Sequence, residues 1–387
     1  MKLVFYSLIL NHHQACIADE FYKILGNDYA FVETAECHDS KGSTDDYSQR
    51  PYLIRAWAST DEYNKAMQMA LETEVCVFGG YEALPFEKAR MQKGLLSFDM
   101  GERMLKRGWL NLASPRILKM VMAYHIGGWS KKPIYKLCCS AFGKGDQYKL
   151  HSFKDRCYKW GYFIDVPTIV PNGMFAVDKS CVKLMWCARF LKLKHPELII
   201  KMAQNLKREG YGFHLDVYGD EGNAAPSEEV YTRKDLECLT EEYGAKDVVT
   251  FHGNKPNDAI IKAMQQHDIF LFTSDQREGW GAVVNESMAN GCVVISSNVI
   301  GSTEYLVKDG RTGFSFNNLN SDSLTEKAKW LIEHPAELEQ MKKQAYTQMR
   351  DIWSPRKAAE ALLKLIEDLK NGREASIVTG PCSKHNY

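Results

Sequence analysis

The residues best suited to chemistry lie in one short segment, residues 275–286, which reads DQREGWGAVVNE. Two acids, Glu278 and Glu286, are separated by seven residues, and Gly279 and Gly281 lie between them. Because glycine has no side chain, it allows backbone N–H groups at the start of a helix to approach a bound phosphate. The two carboxylates can accept hydrogen bonds from hydroxyl groups. The segment therefore predicts a site for a molecule that carries a diphosphate and sugar hydroxyls.

This segment follows a short apolar run, residues 269–272, which predicts a buried strand. In open α/β sheets, ligands bind beyond the carboxyl ends of the strands, so the position favours a functional site. The residues alone leave a second interpretation open. In that interpretation Glu278 only favours a helix N-terminus electrostatically, and Glu286 is one exposed helical carboxylate.

A basic loop, residues 188–196 (ARFLKLKHP), follows another predicted strand. When a bond to a diphosphate breaks, the departing group gains negative charge, so cations held at this place stabilise the transition state more than the ground state. The alternative is a basic loop that is only solvated.

With its glycines and the helix and strand pattern that follows, the pair Glu278 and Glu286 resembles the retaining GT-B glycosyltransferases. The resemblance is closest to family four, whose signature is two glutamates separated by seven residues. It continues through residues 287–296 and 301–314 and covers residues 170–365. It implies an α/β fold of two Rossmann-like domains that face a cleft, with a C-terminal helix crossing back to the N-terminal domain. It also implies sugar transfer with retention of the anomeric configuration and without a bound metal.

The resemblance implies a role for four residues. Arg189 and Lys194 would hold the donor diphosphate, Glu278 would position the donor sugar, and Glu286 would bind the ribose. The other residues that it places at the donor site are Gly279, Trp280, Gly281, Ala282, Gly219 and Gly253.

The basic loop departs from the family at two positions. Ala188 and His195 stand where the family usually has glycine. The second cation for the diphosphate therefore remains open among Lys192, Lys194 and His195.

The C-terminal half alternates short apolar runs with amphipathic stretches, which predicts a parallel sheet covered by helices. In the N-terminal half, the runs at 3–9, 75–78 and 95–99 predict a second sheet of the same class. The predicted strands of the C-terminal half are residues 183–188, 213–218, 248–251, 269–272 and 293–296, and its predicted helices are residues 197–207, 234–243, 257–267 and 282–290.

At 387 residues the chain is long enough for two hydrophobic cores. We expect an acceptor domain over residues 1–168 and a nucleotide-sugar domain over residues 169–355. Residues 356–370 are expected to form the helix that crosses back. The polar residues 371–387 have no periodicity, which predicts disorder.

Polar residues that follow two predicted N-terminal strands form the candidate acceptor site. Residues 11–13 follow the first strand, should begin a helix, and can form hydrogen bonds with a phosphate or a hydroxyl group. Residues 99–103 follow a later strand, and for them helix capping is an equal alternative. No metal site is predicted, because the paired histidines lack spaced Cys, Asp or Glu partners. The candidate residues are Asn11, His12, His13, Asp99, Glu102 and Arg103.

The net charge of zero conceals an uneven distribution. Residues 88–160 contain 16 Lys and Arg against 4 Asp and Glu, whereas residues 1–87 contain 6 against 14. Residues 103–122 interleave the cations with large apolar side chains, which is typical of a segment that lies in an anionic membrane interface. A core helix with a solvated basic face is the alternative. Nucleic acid is not predicted as a partner, because no recognition motif accompanies the charge.

Composition narrows the class of protein further. Hydrophobic residues at 45% and charged residues at 25% are typical of a globular protein. We expect no membrane span, because the chain has no apolar run of about 20 residues. Eleven cysteines without a CxxC pair predict reduced thiols, and hence a cytoplasmic protein, peripheral to the inner face of the membrane if the basic segment docks there.

The sequence thus predicts a glycosyltransferase that needs no cofactor and uses a nucleotide-diphosphate sugar as its donor. The expected acceptor is a glycan or a lipid-linked saccharide in surface polysaccharide biosynthesis. A nucleotide-sugar epimerase of the same fold and a non-catalytic sugar-nucleotide-binding scaffold are the alternatives. A nicotinamide oxidoreductase is disfavoured, because no GxGxxG follows a predicted strand.

Overall fold

The computed structural model describes residues 1–36, 47–222 and 228–384. By its internal contacts the chain divides into two units. The first unit comprises Met1–Asp165 together with Ile352–Tyr387, and the second comprises Val166–Asp351.

The described residues of the first unit form a seven-stranded parallel sheet with the strand order β3-β2-β1-β4-β5-β6-β7. Its elements along the chain are β1 (Leu3–Ser7), α1 (His12–Leu25), β2 (Tyr29–Glu33), β3 (Leu53–Arg55), α2 (Thr60–Glu72), β4 (Val75–Gly79), α3 (Leu84–Lys93), β5 (Ser97–Gly101), α4 (Pro115–His125), β6 (Ile134–Cys138), α5 (Gly143–Lys149) and β7 (Cys157–Lys159).

The central strands of this sheet are buried along their whole length. Every residue of β1 (LVFYS) and of β4 (VCVFG) is buried, as expected for strands of a parallel sheet covered on both faces. The predicted strands near residues 3, 75 and 95 are therefore confirmed as β1, β4 and β5, although β5 begins and ends two residues later. The sequence did not predict β2, β3, β6 or β7.

The described residues of the second unit form a six-stranded parallel sheet with the order β10-β9-β8-β11-β12-β13. The strands that the sequence predicted here are confirmed to within two residues, and β13 was not predicted. The elements are β8 (Val182–Cys187), α6 (Pro196–Arg208), β9 (Phe213–Tyr218), α7 (Arg233–Glu242), β10 (Val249–Gly253), α8 (Asn257–Met264), β11 (Ile269–Phe272), α9 (Val283–Ala289), β12 (Val293–Ser297), α10 (Thr303–Leu306), β13 (Gly313–Phe316), α11 (Ser321–Glu333) and α12 (Pro335–Asp351).

The last helix, α13 (Pro355–Lys370), belongs to the first unit and packs against α1. After it the structure differs from the prediction of disorder. The N–H of Cys382 donates to the carbonyl of Lys159 at 2.7 Å, the N–H of Lys159 donates to the carbonyl of Ser383 at 3.0 Å, and Cys382 is fully buried. Pairing with the edge strand β7 orders this segment, and such a long-range contact leaves no local periodicity in the sequence. Residues 385–387 of the predicted tail lie outside the described residues.

Candidate active site

The candidate site of the second unit lies at the carboxyl edge of its sheet. The chain runs from β8 outward to β9 and β10 on one side, then returns to β11 on the other side of β8. The loops after β8 and β11 therefore lie side by side at the point where the strand order reverses, which is where open α/β sheets bind ligands. The loop after β8 carries Arg189 and Lys194, and the loop after β11 carries Glu278.

The structure brings Lys194 and Glu278 together. The Lys194 ammonium forms an ion pair with the Glu278 carboxylate, and the two side chains are only 18% and 16% exposed. Two further bonds join the same loops. The backbone N–H of Asp275 donates to the carbonyl of Leu193 at 3.0 Å, and the Thr273 hydroxyl donates to the carbonyl of Lys194 at 2.6 Å. The cation and the acid thus share one small region of the sheet edge.

Gly281 has to be glycine for two reasons. Its φ is +79°, a conformation that residues with a side chain rarely adopt, and a Cβ there would lie 2.4 Å from the ring of Phe272. The turn between β11 and α9 consequently packs directly on the end of the strand. This close packing fixes the backbone that the sequence predicted to approach a phosphate.

Gly219 and Gly253 lie at the ends of the neighbouring strands β9 and β10. Gly219 has a φ of +115°, and a Cβ there would lie 2.0 Å from the carbonyl oxygen of Ala188. Its N–H donates to the carbonyl of Gly253 at 2.9 Å. Only glycine permits the β9 loop to approach the beginning of the basic loop so closely.

Arg189 is more exposed than Lys194. Its guanidinium forms an ion pair with Glu228 at 3.2 Å, and its side chain is 43% exposed. Its Cδ would lie 3.5 Å from a Cβ at Gly222. Arg189 thus borders the β9 loop, whereas Lys194 borders the β11 loop.

Glu286 lies in α9 and is half-buried. Burial raises the pKa of its carboxyl to about 7, because the charged form loses its hydration. The charge of Glu286 also contributes, after burial, to raising the pKa of Cys187 at the end of β8 to about 12. Glu286 therefore lies near the carboxyl end of the central strand.

The side chain of Trp280 is a packing residue, which differs from the predicted donor contact. Its ring is 1% exposed, and its indole N–H donates to the Asn285 amide oxygen at 2.8 Å. Only the backbone of Trp280 therefore remains for a ligand. Ala282, by contrast, is partly exposed and directly precedes α9.

A network around His195 was not predicted from the sequence. Its Nδ1 lies 2.7 Å from a Glu197 oxygen and its Nε2 lies 3.2 Å from an Asp275 oxygen. The Arg277 side chain also donates to Asp275, at 2.7 Å. The only signal in the sequence was the replacement of a family glycine by His195. Asp275 and Arg277 carried no recognisable motif.

In the first unit the structure joins three side chains at the carboxyl edge of the sheet. The His13 ring stacks on Tyr162, with centroids 5.8 Å apart and planes at 7°. The Tyr162 hydroxyl donates to Glu102 at 2.8 Å. Burial, helped by neighbouring His12, lowers the pKa of His13 to about 3. Within the described part of the chain, Nδ1 of His13 is buried and has no hydrogen-bond partner, so the neutral imidazole leaves one polar atom unsatisfied.

Three of the other acceptor-site candidates, Asp99, Arg103 and Asn11, make contacts within the first unit. Asp99 lies inside β5 and accepts a hydrogen bond from Lys136 at 2.8 Å, and both side chains are buried. Arg103 forms an ion pair with buried Asp146 at 3.3 Å. The Asn11 side chain accepts from the Gln14 N–H at 3.2 Å and caps α1. These contacts hold the loops in place, so they reduce the number of groups free for an acceptor.

The basic segment, residues 103–122, exposes large apolar side chains. Trp109 is 59% exposed and Leu110 is 79% exposed, and Leu118 and Met122 are about half exposed one helical turn apart on α4. Exposed cations accompany them, namely Arg107, Arg116 and Lys119. Within the described residues, no helix is long and apolar enough to cross a membrane.

The match to a known family lies in the second unit. Residues 179–348 match the family model of glycosyl transferases group 1. The chain is 26% identical over 195 residues to trehalose synthase of Pyrococcus horikoshii, a match that covers 50% of this chain and 46% of the relative. It is 25% identical over 194 residues to the putative colanic acid biosynthesis glycosyltransferase WcaL of Escherichia coli K12, covering 44% of this chain and 45% of the relative. The chain thus spans about half the length of the curated relatives that it matches.

The fold is similar to that of solved glycosyltransferase structures over nearly the whole chain. The crystal structure of Anabaena HepE in complex with UDP superimposes with a TM-score of 0.69, covering 96% of this chain and 100% of that chain at 14% identity. Together with the family match, this similarity supports the predicted α/β fold of two Rossmann-like domains.

Proposed function

We propose that the chain transfers a sugar from a nucleotide-diphosphate sugar to a glycan or a lipid-linked saccharide, with retention, in the biosynthesis of a surface polysaccharide. The second unit binds the donor. Support comes from the family match of that unit and from Anabaena HepE, which has been crystallised with UDP and with UDP-glucose. The relative WcaL carries the name putative colanic acid biosynthesis glycosyltransferase.

The observation that carries the proposal is the ion pair of Lys194 with Glu278 beside the glycine-dependent turn at Gly281. In the proposed reaction, Lys194 and Arg189 hold the diphosphate, and their charges stabilise the negative charge that develops as the glycosidic bond breaks. Glu278 positions the donor sugar, and Glu286 binds the ribose hydroxyls. The same cations take the place of a metal ion at the leaving group, so we propose that transfer needs no metal cofactor.

We propose that the first unit recognises the acceptor through His13, Tyr162 and Glu102. The imidazole nitrogen of His13 and the Glu102 carboxylate can both bond to sugar hydroxyls. The flat Tyr162 ring offers an apolar face beside them. Asp99 and Arg103 are omitted from this proposal because each is paired with a buried partner, Lys136 and Asp146 respectively. Glu102 also forms an ion pair, with Lys106 at 2.6 Å, but both of these side chains are 29% exposed.

We further propose that residues 103–122 dock on the anionic inner face of a membrane, which would bring the enzyme to lipid-linked acceptors. The exposed Trp109 and Leu110 can enter the interface, while Arg107, Arg116 and Lys119 contact anionic headgroups, each contributing about 1 kcal/mol.

The proposed transfer is tested by incubating the purified protein with a panel of nucleotide sugars and measuring release of the nucleoside diphosphate. We expect slow hydrolysis of one donor in the absence of an acceptor, undiminished by EDTA. An epimerised donor sugar would favour the epimerase alternative, and failure of every donor to turn over or bind would favour the scaffold. Hydrolysis that EDTA abolishes would contradict the metal-independent mechanism.

Membrane docking is tested by co-sedimentation with vesicles of phosphatidylglycerol and phosphatidylcholine at low salt. We expect binding to these vesicles and not to phosphatidylcholine alone. The double variant Arg116→Glu, Lys119→Glu should lose binding, whereas Lys343→Glu, which changes an exposed lysine of α12, should retain it. Failure of the wild-type protein to sediment with the anionic vesicles would refute docking.

A further inference from the structure

His195 occupies an unusual backbone position next to the candidate donor site. Its φ is +50° and its ψ is +55°, which is the left-handed region, and it immediately precedes α6. A residue with a side chain is strained there by about 1 kcal/mol relative to glycine. Because this backbone conformation favours glycine, the presence of histidine at position 195 indicates a role for its side chain.

Both nitrogens of the His195 ring face carboxylates. Nδ1 lies 2.7 Å from Glu197 on α6, and Nε2 lies 3.2 Å from Asp275 on the loop between β11 and α9. A carboxylate can only accept, so each nitrogen must donate, and the ring is an imidazolium. Burial alone would lower the pKa of His195, but its hydrogen bonds with Asp275 and Glu197 raise it to about 9. The charged ring is only 16% exposed.

Asp275 in turn shapes the turn that leads to Glu278. Its carboxylate accepts from the backbone N–H of Arg277 at 2.8 Å and from the Arg277 side chain, and its carbonyl accepts from the N–H of Glu278 at 3.0 Å. These hydrogen bonds with His195 and Arg277 hold the pKa of Asp275 well below its usual range, against the effect of burial. The orientation of Asp275 therefore determines the position of the Glu278 backbone.

We propose that His195 is a positioning residue. Its imidazolium binds the Asp275 carboxylate, links the turn at residues 275–278 to the basic loop, and so holds Glu278 beside Lys194. This inference rests on the proposed donor site. The two backbone links between these loops, from Asp275 to Leu193 and from Thr273 to Lys194, fix the main chain only as far as Asp275. The His195 imidazolium holds the Asp275 side chain, and the hydrogen bonds of Asp275 fix the backbone of residues 276–278.

The test uses His195→Gly, which suits the left-handed backbone and removes only the ring. The matched control is His151→Gly, because His151 also has a left-handed backbone, with φ +51°, and lies in the first unit. Hydrogen exchange of the full-length protein, measured without any ligand, should become about tenfold faster or more in residues 275–280 of the first variant, as expected for loss of a charge-assisted hydrogen bond. In His151→Gly, hydrogen exchange in residues 275–280 should be the same as in the wild-type protein.

The kinetic readout uses the nucleotide sugar that the wild-type protein hydrolyses. In His195→Gly we expect kcat/KM to fall about 10- to 100-fold, because Glu278 is displaced from its productive position. Added imidazole should restore part of the loss in this variant and have no effect on Glu278→Ala. Unchanged exchange in residues 275–280, or a loss of activity that imidazole does not relieve, would overturn the role of His195. If the wild-type protein turns over no donor, the proposed function fails, while the exchange measurement still decides the role of His195 in holding the turn.

Discussion

Lys194 and Glu278 are 84 positions apart in the chain, yet their charged groups form an ion pair at the carboxyl edge of the second sheet. Strands β8 and β11 are neighbours, so the loops that follow them meet where the strand order reverses. A ligand diphosphate that binds Lys194 would compete for this lysine with Glu278. We therefore expect donor binding to release the glutamate toward the sugar.

Replacement of Glu278 by Ala should lower kcat/KM for the donor by about 100- to 1000-fold, the size of effect seen when one preorganised group is removed from an active site. The fold should persist, because the residue lies on a loop and is partly exposed. Circular dichroism and the unfolding midpoint should match those of the wild-type protein. Glu339→Ala, which removes an exposed acid of α12, should keep full activity. Turnover close to wild type in Glu278→Ala would contradict the proposed role.

Arg189→Ala should weaken binding of the nucleoside diphosphate about tenfold, as expected for loss of one charge-assisted hydrogen bond. Arg189→Lys should recover only part of the affinity, because lysine lacks the planar fork of donors. Isothermal titration with the nucleotide of the preferred donor measures both. Arg350→Ala is the control, since Arg350 forms an exposed ion pair with Asp351 on α12. Equal affinities for the Arg189 and Arg350 variants would exclude a diphosphate contact at Arg189.

Glu286 should make stability depend on pH. Its pKa in the folded state is about 7, above the ordinary value of 4.5, so the folded state holds the proton more tightly than the unfolded state. The resulting stabilisation is present at low pH and is lost as pH rises through about 7. Relative to the wild type, Glu286→Gln should therefore gain roughly 1–3 kcal/mol in free energy of unfolding between about pH 5 and pH 8. Parallel stability curves for the two proteins in urea would refute this.

The donor KM should also depend on the titration of Glu286. The ionised Glu286 accepts hydrogen bonds from ribose hydroxyls better than the neutral acid does. KM should therefore fall as pH rises through about 7, and Glu286→Gln should show a higher KM without this step. A KM step of equal size in both proteins would assign the titration to another group.

Gly281→Ala should destabilise the protein by about 2–4 kcal/mol, because it combines a left-handed backbone with a clash against the Phe272 ring. Gly244→Ala is the matched control. Gly244 has a φ of +63° but open space around it, so it should cost only about 1 kcal/mol. The difference in free energy of unfolding between the two variants, measured in urea, gives the cost of the clash alone. Equal losses of stability in the two variants would mean that the turn moves away from the strand to relieve the clash.

His195 should stabilise the fold most strongly below pH 6.5. Its folded pKa of about 9 exceeds the ordinary value of 6.5, so its contribution is lost as pH rises from 6.5 through 9. The groups that face it are Glu197 from α6, and Asp275 with its partner Arg277 from the β11 loop. The difference in unfolding free energy between the wild type and His195→Gly should shrink by roughly 2 kcal/mol over that range. A constant difference would mean that the ring is not charged.

Much of the second unit could be predicted from the sequence. The strands 213–218 and 269–272 match β9 and β11 at both ends. β11 is a short, continuous apolar run, and β9 alternates buried apolar residues with half-buried ones, and both patterns are typical of strands. The glycines after β9 and β11 indicated turns, because glycine adopts backbone conformations that other residues avoid. The first unit was harder, since β3 and β7 have only three residues each and leave no pattern long enough to recognise.

The sequence by itself determined which residue types stand at the ends of the strands and how far apart they lie along the chain. Only the tertiary structure decided which of them meet. Trp280 is a packing residue, Asp99 is held by Lys136, and His195 bridges two loops, and none of these outcomes depends on local sequence. Propensity and periodicity act over a few neighbouring residues, whereas ion pairs and burial depend on strand order, which brings together groups that are tens of residues apart.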